Sequence, residues 1–120
     1  MAGKWNISHI KGDTFKFRFK ISTNTAAWDL SSYTVRMQIR PFATSETKLF
    51  DISSASNTAD HTISLNHGSV NGVVDINVAA SIMEDLPLGR LAYDIEFESG
   101  GGEVSTELQG TFINSLEVTR

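Results

Sequence analysis

Residues 15–21 set the pattern of the chain: Phe15, Phe17, Phe19 and Ile21 alternate with Lys16, Arg18 and Lys20. Successive side chains of a strand point to opposite faces, so this spacing predicts a strand with an apolar face turned inward and a basic face turned to solvent. The same alternation sets Tyr33, Val35, Met37 and Ile39 against Arg36, Gln38 and Arg40. It returns in Leu91, Tyr93, Ile95 and Phe97 against Asp94, Glu96 and Glu98. Shorter runs, WNISHI, KLFDIS, HTISLN, GVVDINVA, EVSTELQGTFI and SLEVT, add further strands. About seven to nine short strands with turn signals between them predict an all-β fold, an antiparallel β-sandwich. Its predicted core is Phe15, Phe17, Phe19, Val35, Met37, Ile39, Ile76, Tyr93, Ile95, Phe97, Leu108 and Phe112.

The connections agree with this reading. SGGGE at 99–103 lies between two alternating runs and predicts a tight hairpin, because glycine supplies the positive φ such turns require. NHGSVNG at 66–72 is a second turn-rich loop, and the small polar residues of SSASNTAD at 53–60 predict an exposed, mobile one. One segment is not strand. In AASIMEDLPLG, Ser81 and Glu84 have the spacing of a capping box, and Pro87 stops the helix after about a turn. A helical turn near 81–86 should therefore carry the chain from one sheet to the other, with Leu86 and Ile82 plugging the end of the core.

At 120 residues the chain is expected to form a single domain, 1–120, with one core. It has no cysteine, which excludes disulfides and thiolate metal sites and suits assembly in a reducing cytoplasm. No run approaches the roughly 20 apolar residues of a membrane span, and none has signal-peptide length, so no membrane partner is expected. The charge is unevenly distributed: residues 1–40 carry seven basic and two acidic side chains, a balance of +5, whereas residues 41–120 carry three and twelve, a balance of −9.

Candidate chemistry is sparse. His9, His61 and His67 lack the converging spacing of a metal site and read as surface or strand-edge residues; Asp60, His61 and Ser64 lack a nucleophile on a constrained turn. SGGGE is followed by a strand rather than the helix N-terminus that phosphate binding uses, and Glu96, Glu98 and Glu107 fall on solvent faces rather than in a cleft. No catalytic residue, cofactor or metal is expected. Trp5 and Trp28 have two readings each. Either could stack on a sugar; alternatively, Trp28 closes one end of the sandwich and Trp5 packs a terminal strand on a sheet edge. Arg36 and Arg40 are expected to face Asp94, Glu96 and Glu98 across neighbouring strands, which leaves Lys16, Arg18 and Lys20 as a basic stripe with Asp75 as its one acidic neighbour. A net charge of −4 and a stripe without stacking aromatics argue against nucleic acid, and a complementary protein surface fits better. The expected interaction residues are therefore Lys16, Arg18, Lys20 and Trp5.

KGDTFKFRFKI, WDLSSYTVRMQIRP, GVVDINVAASIMEDLPLGRLAYDIEF and GGEVSTELQGTFINSLEVTR together resemble a group of small bacteriophage and prophage proteins, and the likeness covers most of the chain. The group's pattern runs from G-D-T and an alternating strand, through D-L-T-G-Y-T and M-Q-I-R, to an L-P-x-G strand entry and a terminal V-T-R. The chain is also similar to the immunoglobulin-like N-terminal domains of phage baseplate upper proteins. It departs from the pattern at Trp28, where a smaller apolar residue is usual, and at Ser32, where glycine is common. The resemblance implies an immunoglobulin-like sandwich and a non-enzymatic virion structural protein, made in the host cytoplasm. Such a module docks on tail, baseplate or capsid, as an accessory or decoration protein in the last case. The implied partners are other virion proteins, with neighbouring copies of the chain among them. The rival expectation is a carbohydrate-binding or adhesion module using exposed Trp5 or Trp28.

Overall fold

The computed structural model of the protein describes residues 3–23 and 26–115. Its strands are β1 (Gly3–Lys4), β2 (Ile7–Ile10), β3 (Phe15–Lys20), β4 (Ser22–Thr23), β5 (Ala26–Ala27), β6 (Thr34–Arg40), β7 (Phe50–Ser53), β8 (His61–Leu65), β9 (Val73–Val78), β10 (Gly89–Glu98) and β11 (Val104–Ser115). One sheet runs β1-β11-β10-β6-β7, with β2 also on β11; the other runs β3-β9-β8; β4 and β5 form a small ribbon. Every alternating run of the sequence becomes a strand. The terminal SLEVT lies outside the described residues except for Ser115.

The two sheets pack into an all-β sandwich whose strand order is that of an immunoglobulin domain. Counting β3 as the second strand of that fold, β3, β9 and β8 make one sheet and β11, β10, β6 and β7 the other. The amino-terminal pieces depart from the usual plan. Both β1 and β2 run parallel to β11, through Gly3–Leu108 and Ile7–Phe112 partners, and neither lies beside β3.

Between the sheets Val35, Met37, Ile39, Val74, Ile76, Val78, Ile95, Phe97 and Phe112 are fully buried, as their period-two spacing requires. Phe15 and Tyr93 are buried with them. Phe17, Phe19 and Leu108, expected in the core, are only half-buried: they pack against it from its margin, where no further strand among the described residues covers them.

A short helix, α1 (Ala80–Met83), crosses between the sheets, and turn hydrogen bonds extend it to Leu86. The expected capping box does not form. Ala79 is the cap residue because its N–H donates to the Asp60 carbonyl at 2.7 Å, which holds it extended and starts the turn behind it, leaving Ser81 inside the helix. The plug is Met83 and Leu86, three apart on one face, while Ile82 is half-buried. Lys11 Nζ donates to the Glu84 and Leu86 carbonyls, both at 2.6 Å, satisfying groups that the helix end leaves open.

The hairpin at 99–103 closes through Ser99 N–H to Glu103 O and Gly102 N–H to Ser99 O, both 2.9 Å, with Gly102 at φ 88°. The loop at 53–60 is exposed from Ala55 onward but tied at its root. Asn57 pairs with both backbone groups of Ile63 as a strand would, and the Ser54 hydroxyl accepts from Val35 N–H at 3.0 Å.

Candidate functional site: a cleft at the open edge

The kink between β1 and β2 builds the site. Trp5 N–H donates to Gln109 O at 3.0 Å, Asn6 Oδ1 accepts from Thr111 N–H at 3.2 Å, and the Tyr93 hydroxyl donates to the Trp5 carbonyl at 2.6 Å. Burial pushes the Tyr93 phenol up to about 12, so it stays protonated and able to donate throughout the neutral range. With its backbone fixed at these points, Trp5 leaves its side chain outside: the residue is 60% exposed.

That indole borders a cleft of about 370 Å³ between the β1 edge of one sheet and the β3 edge of the other. Phe17, Phe19, Ile21 and Leu108 form its apolar walls, and Lys4, Arg18, Lys20 and Glu107 surround them. A second cleft, about 440 Å³, shares Trp5 and Phe17 with the first and extends past Lys16 to Ile10. Of the four expected interaction residues, Trp5, Arg18 and Lys20 thus line one cleft, and Lys16 joins Trp5 on the next.

The charges of the stripe are not equivalent. Arg18 stands opposite Asp75 in the β3–β9 register and pairs with it at 3.0 Å. Partial burial works to raise the Asp75 pKa, but hydrogen bonds from Arg18 and Asn77, with the Arg18 charge, hold it below the usual carboxylate value. Lys16 and Lys20 stand opposite Asn77 and Val73, are exposed, and form no ion pair among the described residues. On the other sheet Arg36 donates to Glu96 at 2.5 Å, as expected. Arg40 does not face an acid. It stands opposite Ala92 and donates to Ser45 O and Gln38 Oε1, because the register brings Asp94 opposite Gln38 instead.

The remaining candidates have structural roles. Trp28 is half-buried, its ring 5.6 Å from Tyr33 and 6.0 Å from Phe97, and it closes that end of the sandwich. His9 lies on edge strand β2 yet is buried between Phe15 and Phe112, with Nδ1 against Asn114 Oδ1 and Nε2 donating to the Asp13 carbonyl. His61 bonds Ser56 O and Thr58, not Ser64. Ser64 meets His67 Nδ1 at 3.1 Å, and Asp75 approaches the same ring nitrogen at 4.0 Å, whereas a triad needs acid and nucleophile on opposite nitrogens. Glu96 is engaged by Arg36 and Glu107 by the Ser105 hydroxyl. Among the described residues no three His, Asp or Glu side chains gather into a metal-holding cluster, and no helix is long and apolar enough to cross a membrane.

Trp5 and the basic stripe were legible from charge and position near a terminus. The walls were not: alternation shows which face Phe17 and Phe19 take, not whether another strand covers that face. Compared with known proteins, the chain matches no family model and no curated sequence.

Proposed function

We propose that the protein is a non-enzymatic bacteriophage or prophage virion structural protein, an immunoglobulin-like module that docks on tail, baseplate or capsid through its β1–β3 edge. The observation that carries the docking surface is the cleft, where an exposed indole and half-buried phenylalanines sit beside lysines that form no ion pair among the described residues. An apolar centre with a charged rim is the anatomy of a protein interface. The virion setting rests on the resemblance of the strand and turn motifs. A symmetric particle repeats such a docking contact many times, so a small surface suffices.

The test is composition of the particle. Particles released from a host carrying the gene, banded on a density gradient and quantified by peptide mass spectrometry, should contain the chain at a fixed ratio to the major virion proteins. A chain abundant in the lysate but missing from the banded particles would refute this function.

One observation keeps the carbohydrate reading as a second proposal: the exposed Trp5 ring offers a stacking face. Its nearest neighbours Phe17, Phe19 and Leu108 are apolar, and the groups able to bond sugar hydroxyls, Lys4, Arg18, Lys20 and Glu107, stand around them, an apolar centre with a charged rim that favours a protein partner. Glycan-array binding that disappears in Trp5→Ala would reverse that preference.

A further inference from the structure

We infer that the docking partner is an extended acidic segment that adds to β3 as a new edge strand, its apolar side chains entering the cleft beside Trp5. The inference rests on the proposal that this edge docks a protein, and it specifies what that protein presents.

Three observations carry it. First, the edge of β3 is open. Within its sheet β3 pairs only with β9, and no other backbone group among the described residues bonds residues 15–20. In antiparallel pairing, residues with both backbone groups turned to the partner alternate with residues whose groups turn away. The bond from Ile21 N–H to Gly72 O, next in register after Lys20–Val73, sets the phase: Phe15, Phe17 and Phe19 bond β9, and Lys16, Arg18 and Lys20 present N–H and C=O outward. Second, among the described residues the fold leaves this position uncovered. In an immunoglobulin sandwich the first strand shares a sheet with the second, but here β1 and β2 lie on β11 and the apolar cleft remains. Third, the charge selects the occupant. Lysines on an edge strand deter pairing between like copies, since a second β3 would set Lys16, Arg18 and Lys20 against themselves. A strand with acids at alternate positions meets the same lysines as cross-strand partners. An added strand would turn its apolar side chains inward with Phe17 and Phe19 and its acids outward with Lys16 and Lys20, so the sequence recognised alternates apolar and acidic residues.

The probe is the end-capped peptide VEIDVEI, titrated into the ¹⁵N-labelled full chain at low ionic strength. Binding should slow hydrogen exchange at the amides of Lys16, Arg18 and Lys20, and N-methylation of the peptide's bonding amides should abolish it. Lys16→Glu with Lys20→Glu, both exposed and unpaired, should weaken the acidic peptide about tenfold and favour VKIKVKI instead. No protection of these amides up to the solubility of the peptide overturns the inference, as does binding indifferent to N-methylation. So does a dimer, seen by sedimentation without peptide, that already protects the same amides. Should the double variant lower particle occupancy while the peptide fails to protect the edge, docking stands and strand addition falls. Peptide binding as described, with the chain missing from particles, leaves the edge site standing and removes the virion role.

Discussion

The Trp5 carbonyl oxygen occupies the space that a side chain on Gly110 would need: a Cβ there would overlap it, with Asn6 Oδ1 also close at 3.2 Å. Only glycine lets β1 and β2 kink toward β11 at this point, and the kink aims the indole at the cleft. Gly110→Ala should cost about 1–3 kcal/mol through overpacking and change the emission of Trp5, whereas Gly101→Ala, whose added methyl would meet only Ser99 Oγ at an ordinary 3.9 Å, should be silent in both. Thermal unfolding with tryptophan fluorescence reads both; equal behaviour of the two variants would contradict the close approach.

Ile95 is fully buried and Phe17 is not. Ile95→Ala should therefore cost about 2–5 kcal/mol, and Phe17→Ala, which removes a ring already half in water, clearly less despite the larger deletion. Denaturant titration decides. A larger loss at Phe17 would mean that the cleft is closed in solution.

Asp94 has one carboxylate oxygen buried without a hydrogen-bond partner. Burial first, and Glu96 second, raise its pKa, against the opposing charges of Arg40 and Arg36. A raised acid pKa means that the folded state holds its proton more tightly than the unfolded one, so this contribution favours folding at low pH and is lost as pH rises from about 4 through the folded value. Asp94→Asn should accordingly stabilise the domain at pH 7, by about 1 kcal/mol at most after solvent screening, and the gain should vanish toward pH 3. Melting temperatures across that range test the sign.

Asn66 adopts the left-handed conformation, φ 51°, and its side chain accepts from Leu30 N–H and Gly72 N–H while donating to Asp29. Asn66→Ala should cost about 2–3 kcal/mol, from lost hydrogen bonds and backbone strain, and Asn66→Gly less because glycine accepts that φ. Asp29, whose pKa is lowered first by the Ser31 amide and then by Asn66, should shift upward in both variants in an NMR titration.

Strands were legible because burial on one side of a sheet leaves a period of two, and Thr34–Arg40 and Gly89–Glu98 carry it almost without error. What escaped depends on register. Nothing in WNISHI indicates that the strand will join β11, because the deciding feature, the space above Gly110, lies a hundred residues away. The Ser81–Glu84 spacing misled for a similar reason: a backbone bond from Ala79 to Asp60 outcompetes a local side-chain cap. At the site, charge singled out Lys16, Arg18 and Lys20, but the pairing of Arg18 with Asp75 follows from the β3–β9 alignment, and so does the freedom of the two lysines.

The parallel seating of β1 and β2 on β11 also constrains how the protein is made. Gly3 and Ile7 leave the ribosome before their partners Leu108 and Phe112, which emerge more than a hundred residues later. Such distant pairings are slow to form, and β1 and β2 must wait for these partners until β11 has been made. The Trp5 surface, which depends on that seating, is therefore completed only once β11 has been made.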